Sequence, residues 1–377
     1  MNNPPAPKLY IAAIGMTTPV GANTAMTAAM VRAEMNVYTQ TDYTDSNGYP
    51  ITMASVPDLI FDELDADIGP GDKFDARHYR VIKMAIIAIR QACTQRSPTQ
   101  PIPLVMAMHE AQADSGPGHD AGLIPLIEVL EQNCKPWISA GQYRRLHSGR
   151  AAGMEAIDFG FRYLYDQPND YFLIGGADSY RDDDRLALLG DANRLKVPGN
   201  QDGFAPGEAA CFLLLTHRPE LALVRHGHLI ALNPPGIAEE PGHLHSKEPY
   251  RGDGLDQAFK KALVHRPPAS VQNIYSSMNG ENHWAKEYGV AYTRNQEYFR
   301  DPTKIEHPAD CFGDLGAATA PVLIALAAED LLDHPQARAH LVYSSSDGPK
   351  RGALVVEKIA VANAAAPVTH HPHPRNF

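Results

Sequence analysis

DGFAPGEAACFLLL, residues Asp202 to Leu215, runs from a loop directly into a strand. Gly203, Pro206 and Gly207 punctuate the loop, and the short unbroken apolar run after Glu208 reads as a fully buried strand, Glu208 to Thr216. Just upstream, DYFLIGGADSY (Asp170 to Tyr180) is a second apolar strand. Its Gly175–Gly176 pair marks a place where the backbone turns or meets a neighbour closely. Just downstream, HLIALNPPG (His228 to Gly236) is a third.

Outward from this centre, helices alternate with strands on both sides. Towards the N-terminus, Leu9 to Ile14 reads as a strand followed by a loop with Pro19 and Gly21. Asn23 or Thr24 caps a helix carrying Met26, Met30 and Val31 on one face. HYRVIKMAIIAIRQAC repeats Val81, Ile82, Ala85, Ile86 and Ile89 at helical spacing. Strand Pro103 to Met108 and the loop EAQADSGPGHDAG follow. The helix after Gly149 aligns Met154, Ile157, Phe161 and Leu164. Towards the C-terminus come helix LDQAFKKALV, strand NIYSSM, a helix after Gly316, and strands HLVYSS and GALVVEKI. This alternation predicts an α/β protein.

At 377 residues the chain is long enough for two cores or one duplicated fold, although no repeat is visible as residue identity. The expected division is residues 1–220, residues 221–362 and a disordered tail, 363–377. That tail ends HHPHPRNF, where Pro372 and Pro374 break up its histidines, so no metal site is expected. The net charge of −11 argues against nucleic acid or anionic membrane as partner. Cys93, Cys134, Cys211 and Cys311 are far apart, which predicts reduced thiols in a cytoplasm. No signal peptide or membrane span is read.

Several segments together resemble the β-ketoacyl synthases of the thiolase superfamily. IAAIGMTTPVGANTAMTAAM is similar to the family's entry strand and loop. LIGGADSY, LALLGDANRL and DGFAPGEAACFLLL look like its Gly-Gly strand and its D-G-F-x-P-G-E-G-A loop. CFGDLGAATAPVLIALA resembles its G-H-x-x-A-A-S-G helix start. The resemblance spans about residues 9 to 356. It implies a five-layered α-β-α-β-α fold of two similar halves, normally dimeric, that condenses acyl groups carried on coenzyme A or acyl carrier protein. No cofactor is implied.

Three stretches depart from that pattern: HSGRAAGMEAI (His147 to Ile157), SSMNGENHW (Ser276 to Trp284) and CFGDLGAAT (Cys311 to Thr319). By resemblance they hold the family's cysteine and two histidines, and here those places carry Arg150, Asn279 and Asp314. Arginine is not a nucleophile, and it either binds an anion or serves as an ion-pair partner. Asparagine donates a hydrogen bond but takes no proton at neutral pH. Asp314 reads as a pocket acid or as a helix cap. His283 either points into the same cavity or is a structural histidine. In SSSDGPKRGA, Asp347 and Gly348 fall near the family's gating phenylalanine.

Two functions follow. In the first, Arg150, Asn279, His283 and Asp314 line an old acyl pocket in a catalytically degenerate ketosynthase-like protein. It acts as a binding or adaptor partner: a homodimer, a heterodimer with a ketosynthase-like protein, or an accessory of a synthase or secretion system that holds an acyl-carrier or effector protein. In the second, the protein is an acyltransferase or acyl hydrolase that uses Ser148 or Cys311, with Ser148, His283 and Asp314 as a conceivable triad. Arg150, Asn279, His283 and Asp314 are expected to cluster in one cavity between the halves; a filled cavity with Arg150 paired to Asp314 or Glu281 marks a dead pocket, and an open one keeps ligand binding alive.

Overall fold

The computed structural model describes residues 7–364 apart from 46, 63, 65–67, 69–73, 111–123 and 168. The expected tail from residue 365 onward and nearly all of the loop after Glu110 therefore lie outside the described residues. The first half contains strands β1 (Leu9–Thr17), β2 (Thr39–Thr44), β3 (Pro50–Met53), β4 (Leu104–Ala107), β5 (Tyr143–Leu146), β6 (Phe172–Ser179) and β7 (Glu208–Thr216). Its longer helices are α1 (Thr24–Arg32), α2 (Ala76–Thr94), α3 (Ile124–Asn133), α4 (Ala152–Asp166) and α5 (Asp183–Asp191). The second half contains β8 (His228–Leu232), β9 (Gly236–Glu239), β10 (Val271–Tyr275), β11 (Phe299–Glu306), β12 (Ala339–Ser345) and β13 (Lys350–Ala360). Its longer helices are α6 (Asp253–Leu263), α7 (Asn282–Asn295) and α8 (Thr319–Asp333).

The strand order β11-β10-β12-β13-β8-β1-β7-β6-β4-β5 is the same pattern written twice. Numbering the five strands of each half in chain order, both halves read 3-2-4-5-1, and their first strands, β1 and β8, pair antiparallel. Leu104 and Val271, Ala152 and Thr319, and Phe172 and Ala339 open matching elements, each pair 167 positions apart. The duplication survives in geometry, where packing constrains it, and not in residue identity.

Layering follows from which faces are apolar. Helices α4 and α8 pack on each other and on sheet strands of both halves. Their apolar residues Ile157, Phe161, Ile324 and Leu331 join Ile11, Leu213, Val342 and Val356 in one central core. The opposite face of the first half's sheet is covered by α2, through Ile82, Ile86 and Ile89. That of the second half is covered by α6 and α7, through Phe259, Leu263 and Tyr288. The result is the five-layered α-β-α-β-α arrangement. Asn23 caps α1 by accepting from the Met26 amide at 3.0 Å, but Met26 is exposed and the helix buries Thr27 and Ala28. The small residues let α1 lie close to α8, which corrects the expected Met26 face.

Gly176 shows why the Gly-Gly strand has no side chains there. A Cβ on it would lie 2.3 Å from the Ala317 carbonyl oxygen, inside the turn that starts α8. Gly176→Ala is expected to destabilise the protein by about 1–3 kcal/mol through overpacking. A lowered denaturation midpoint checks this; an unchanged midpoint would mean that the turn yields freely.

Candidate functional site

The two halves meet at the N-terminal ends of α4 and α8, each entered through a three-residue turn. Gly149 and Gly316 begin these turns at φ +57° and +52°, a conformation that glycine adopts without strain. Arg150 lies in the first turn and Asp314 just before the second. The loop of DGFAPGEAACFLLL places Asp314: its amide donates to the Ala205 carbonyl at 2.9 Å, and the Gly207 amide donates to the Asp314 carbonyl at 2.8 Å. A Cβ on Gly207 would strike the Phe312 carbonyl at 2.3 Å, so glycine is required for this approach. The same loop holds the segment around Arg194 on its other side, where the Phe204 amide donates to the Arg194 carbonyl at 2.8 Å.

Six side chains then close a ring. Arg150 Nη1 donates to Asp314 Oδ2 at 2.5 Å, and Asn279 Nδ2 donates to the same oxygen at 2.8 Å. Asn279 Nδ2 also reaches Glu281 Oε2 at 3.0 Å. Arg194 grips Glu281 through two bonds, at 2.7 and 2.8 Å, and donates to Asp347 Oδ2 at 2.7 Å. Arg150 Nη2 donates to Asp347 and completes the circuit. Two guanidiniums thus face three carboxylates, bridged by one amide.

The surroundings hold this ring rigid. Arg150 is 4% exposed, lies over the Trp284 ring at 4.6 Å, and donates through Nε to the Ser345 carbonyl at 2.8 Å. Trp284 Nε1 donates to Glu281 at 3.0 Å. The other oxygen of Asp314 accepts from the Tyr180 hydroxyl at 3.1 Å and from the Gly316 amide at 2.8 Å. Asp314 is therefore both a cap for its turn and an ion-pair partner. Ser344 and Ser346 fasten the Arg150 turn from the second half: Ser344 Oγ donates to the Arg150 carbonyl, and the Ala151 amide donates to Ser346 Oγ.

Electrostatics follow from this packing. A cation at the N-terminal end of a helix opposes the helix dipole, and the three carboxylates compensate. Burial works to raise the Asp347 carboxyl, but Arg150 and Arg194 outweigh it and hold that group well below the usual range. Burial likewise disfavours the Arg150 cation, and Asp314 and Asp347 reverse the effect, so the guanidinium stays charged. Glu110, which accepts from the Gly348 amide at 3.1 and 3.2 Å, moves the other way. Burial and then Asp347 push it up to about 7.

Little space remains. The cavity beside Asn279, Asp314, Ser276 and Leu323 measures about 10 Å³, room for about one water molecule. Small-molecule pockets run to roughly 300–1,000 Å³, so an acyl chain does not fit here.

Of the residues singled out from sequence, Arg150, Asn279 and Asp314 come together. His283 does not join them: it is the second residue of α7, its ring lies tilted 4.3 Å from that of Tyr250, and burial and then Arg351 hold it below the usual histidine range. Among the described residues no hydrogen bond connects Ser148, His283 and Asp314, and both Asp314 oxygens are already engaged. Cys311 is buried, and burial followed by Asp310 pushes its thiol up to about 11, far from a thiolate. Glu110, His245 and Asp347 bring possible metal-ligand atoms within 4.8 Å of one another. Asp347 gives both oxygens to guanidiniums, so the trio is explained as an extension of the ring. Arg194 and Tyr180 were not anticipated. Arg194 follows Asn193, which has φ +54° at the end of α5, and that turn aims it inward.

Solved structures share this architecture. One titled the ishigamide ketosynthase/chain length factor matches with TM-score 0.69 at 18% identity, over 93% of this chain and 99% of its own. The chain has the ketosynthase fold. A type II PKS acyl-carrier protein in complex with its ketosynthase bound to the hexaketide matches with TM-score 0.72 at 12% identity, over 93% of this chain and 99% of that one. An oxazolomycin ketosynthase domain of Streptomyces albus matches with TM-score 0.72 at 10% identity, over 98% and 76%. No family model and no curated protein matches the chain. Among the described residues no helix is long and apolar enough to cross a membrane.

Proposed function

We propose that this protein is a catalytically silent ketosynthase-like subunit that works by binding another protein. One observation carries the reading: the closed ring Arg150–Asp314–Asn279–Glu281–Arg194–Asp347 fills the place that the family resemblance assigns to the reacting groups. Arg150 has no lone pair to offer as a nucleophile, and Asn279 is not a base. Among the solved structures of this fold are a ketosynthase/chain length factor and an acyl-carrier protein with its ketosynthase. By that analogy the partner is a ketosynthase-like chain, and after it an acyl-carrier or effector protein. Strand β5, YRRL, ends the sheet order and among the described residues pairs with β4 alone, which leaves an edge for another chain. Four buried free cysteines accord with a reducing cytoplasm.

Intact-mass measurement after incubation with acyl-coenzyme A, and with a cerulenin-like thiol inhibitor, is expected to show no adduct. Affinity purification of the full chain is expected to recover a ketosynthase-like or acyl-carrier protein. A stoichiometric adduct abolished by Ser148→Ala or Cys311→Ala would overturn the reading in favour of an acyltransferase or hydrolase.

A further inference from the structure

A second, larger cleft opens at the opposite pole of the second half, where β8 begins and β13 ends. It measures about 380 Å³ and is lined by Lys8, His228, Arg338, Glu357, Lys358 and Ile359, among others. From the start of β13, near the ion-pair ring, to Lys358 is roughly 25 Å of extended strand. The two sites are therefore separate, and this cleft stands whether or not the ring is inert.

Among the described residues the charge in this cleft is unbalanced. Glu357 is the one carboxylate of its described lining, and it is already claimed: Lys8 Nζ donates to it at 2.5 Å and Arg266 Nη1 at 3.1 Å. Among the described residues the hydrogen bonds of the Arg338 and Lys358 side chains go to backbone carbonyls, and the acid that acts on Lys358 is Asp330, at longer range. Lys358 Nζ donates to the His334 carbonyl at 2.6 Å and the Pro335 carbonyl at 3.3 Å, while Arg338 Nη1 donates to the Pro335 carbonyl at 3.0 Å. Asp330, the next acid, is engaged by His340 at 2.7 Å and His334 at 2.9 Å. The Lys358 amide donates to the Arg338 carbonyl at 2.8 Å, which ties the two residues together.

Lys358 is 6% exposed. A cation this buried with no carboxylate in hydrogen-bond reach is costly. Burial and then the neighbouring Arg338 pull its ammonium below the usual lysine range, and Asp330 offsets them only in part. His228 Nδ1 lies 2.9 Å from the His226 carbonyl, which assigns the ring proton to Nδ1 and leaves Nε2 available. Ile359 supplies an apolar wall next to these groups. In a chain of net charge −11, a cleft where cations outnumber the acids that reach them favours an anion.

We propose that this cleft binds the phosphate group of a small phosphate monoester, with Arg338 and Lys358 as the anion-binding pair and the organic part lying towards Ile359. Guanidinium and ammonium together suit a dianionic oxyanion. The volume exceeds what a bare phosphate fills.

Calorimetric titration of the full chain with phenyl phosphate and with inorganic phosphate, at constant ionic strength, tests this. Saturable binding is expected, tighter for phenyl phosphate. Arg338→Gln and Lys358→Met are each expected to weaken it about tenfold, the scale of one charge-assisted hydrogen bond. Arg162→Gln, at an exposed pair with Asp158 on α4, is expected to leave it unchanged. Arg338→Gln alters an exposed side chain, so it keeps the test open if Lys358→Met fails to fold. Absence of saturable binding, or full affinity in Arg338→Gln, would refute the site. Equal affinity for the two phosphates would refute the ester.

Discussion

Arg150→Met is expected to lower stability by about 3–5 kcal/mol, the cost of removing one partner from a buried ion pair. The loss comes less from the missing attraction than from what is left behind. Asp314 keeps its hydrogen bonds from Tyr180, Asn279 and Gly316, but its charge then sits 3% exposed with no cation against it. Asp347 keeps Arg194. The uncompensated charge is therefore mainly that of Asp314, and Asp314→Asn in the Arg150→Met background should recover part of the stability. Denaturation midpoints of wild type, the two single variants and the double variant measure this coupling. If the two losses simply add, the ring does not act as a unit. A destabilisation below about 1 kcal/mol for Arg150→Met would place the pair among weak, solvent-screened contacts. The observed burial argues against that result.

The fold was legible because its central parts are written in long apolar runs. Strands β1, β6 and β7 are buried along their whole lengths, as are almost all residues of α8. Such segments announce themselves. The edge strands do not: β5 is YRRL and β11 is FRDPTKIE, polar and half exposed. Helix α7, NHWAKEYGVAYTRN, has a weak apolar stripe, because it buries Glu287 against Arg351 in place of a hydrophobic contact. In the site, Arg150, Asn279 and Asp314 were found because a family pattern names their positions. Arg194 was not, because nothing local distinguishes LLGDANRL from a surface turn. What places it is the Asp202–Glu208 loop, whose pairing with both Arg194 and Asp314 is a tertiary fact. A lone arginine beside that motif, with acids in excess at Glu281, Asp314 and Asp347, was the available clue.

Glu110→Gln is expected to raise stability at pH 8 and to raise it by only about a third as much at pH 5. The folded-state carboxyl is pushed up to about 7 by burial and then by Asp347, against about 4.3 for an unfolded glutamate. A carboxyl whose folded pKa is raised holds its proton more tightly when folded. Its contribution to stability is complete below about pH 4.3 and is lost as pH rises through about 7. A difference of this size corresponds to about 3–4 kcal/mol, and partial exposure of Glu110 reduces the expected gain to about 1–3 kcal/mol. Glutamine carries no charge at either pH and still accepts from the Gly348 amide, the bond that Glu110 makes at 3.1 Å. The groups facing Glu110 support this sign: Asp347 repels it, Arg150 attracts it, and His245 lies within 4.8 Å. Asp347 and Asp178 act in the opposite sense. Guanidiniums hold both below the ordinary carboxylate range, so their stabilisation is lost only as pH falls under about 4. The two effects therefore occupy different windows, and thermal denaturation of wild type and Glu110→Gln at pH 5 and pH 8 isolates the upper one. An equal difference at both pH values would show that Glu110 is ionised throughout, with Gly348 and Arg150 outweighing Asp347.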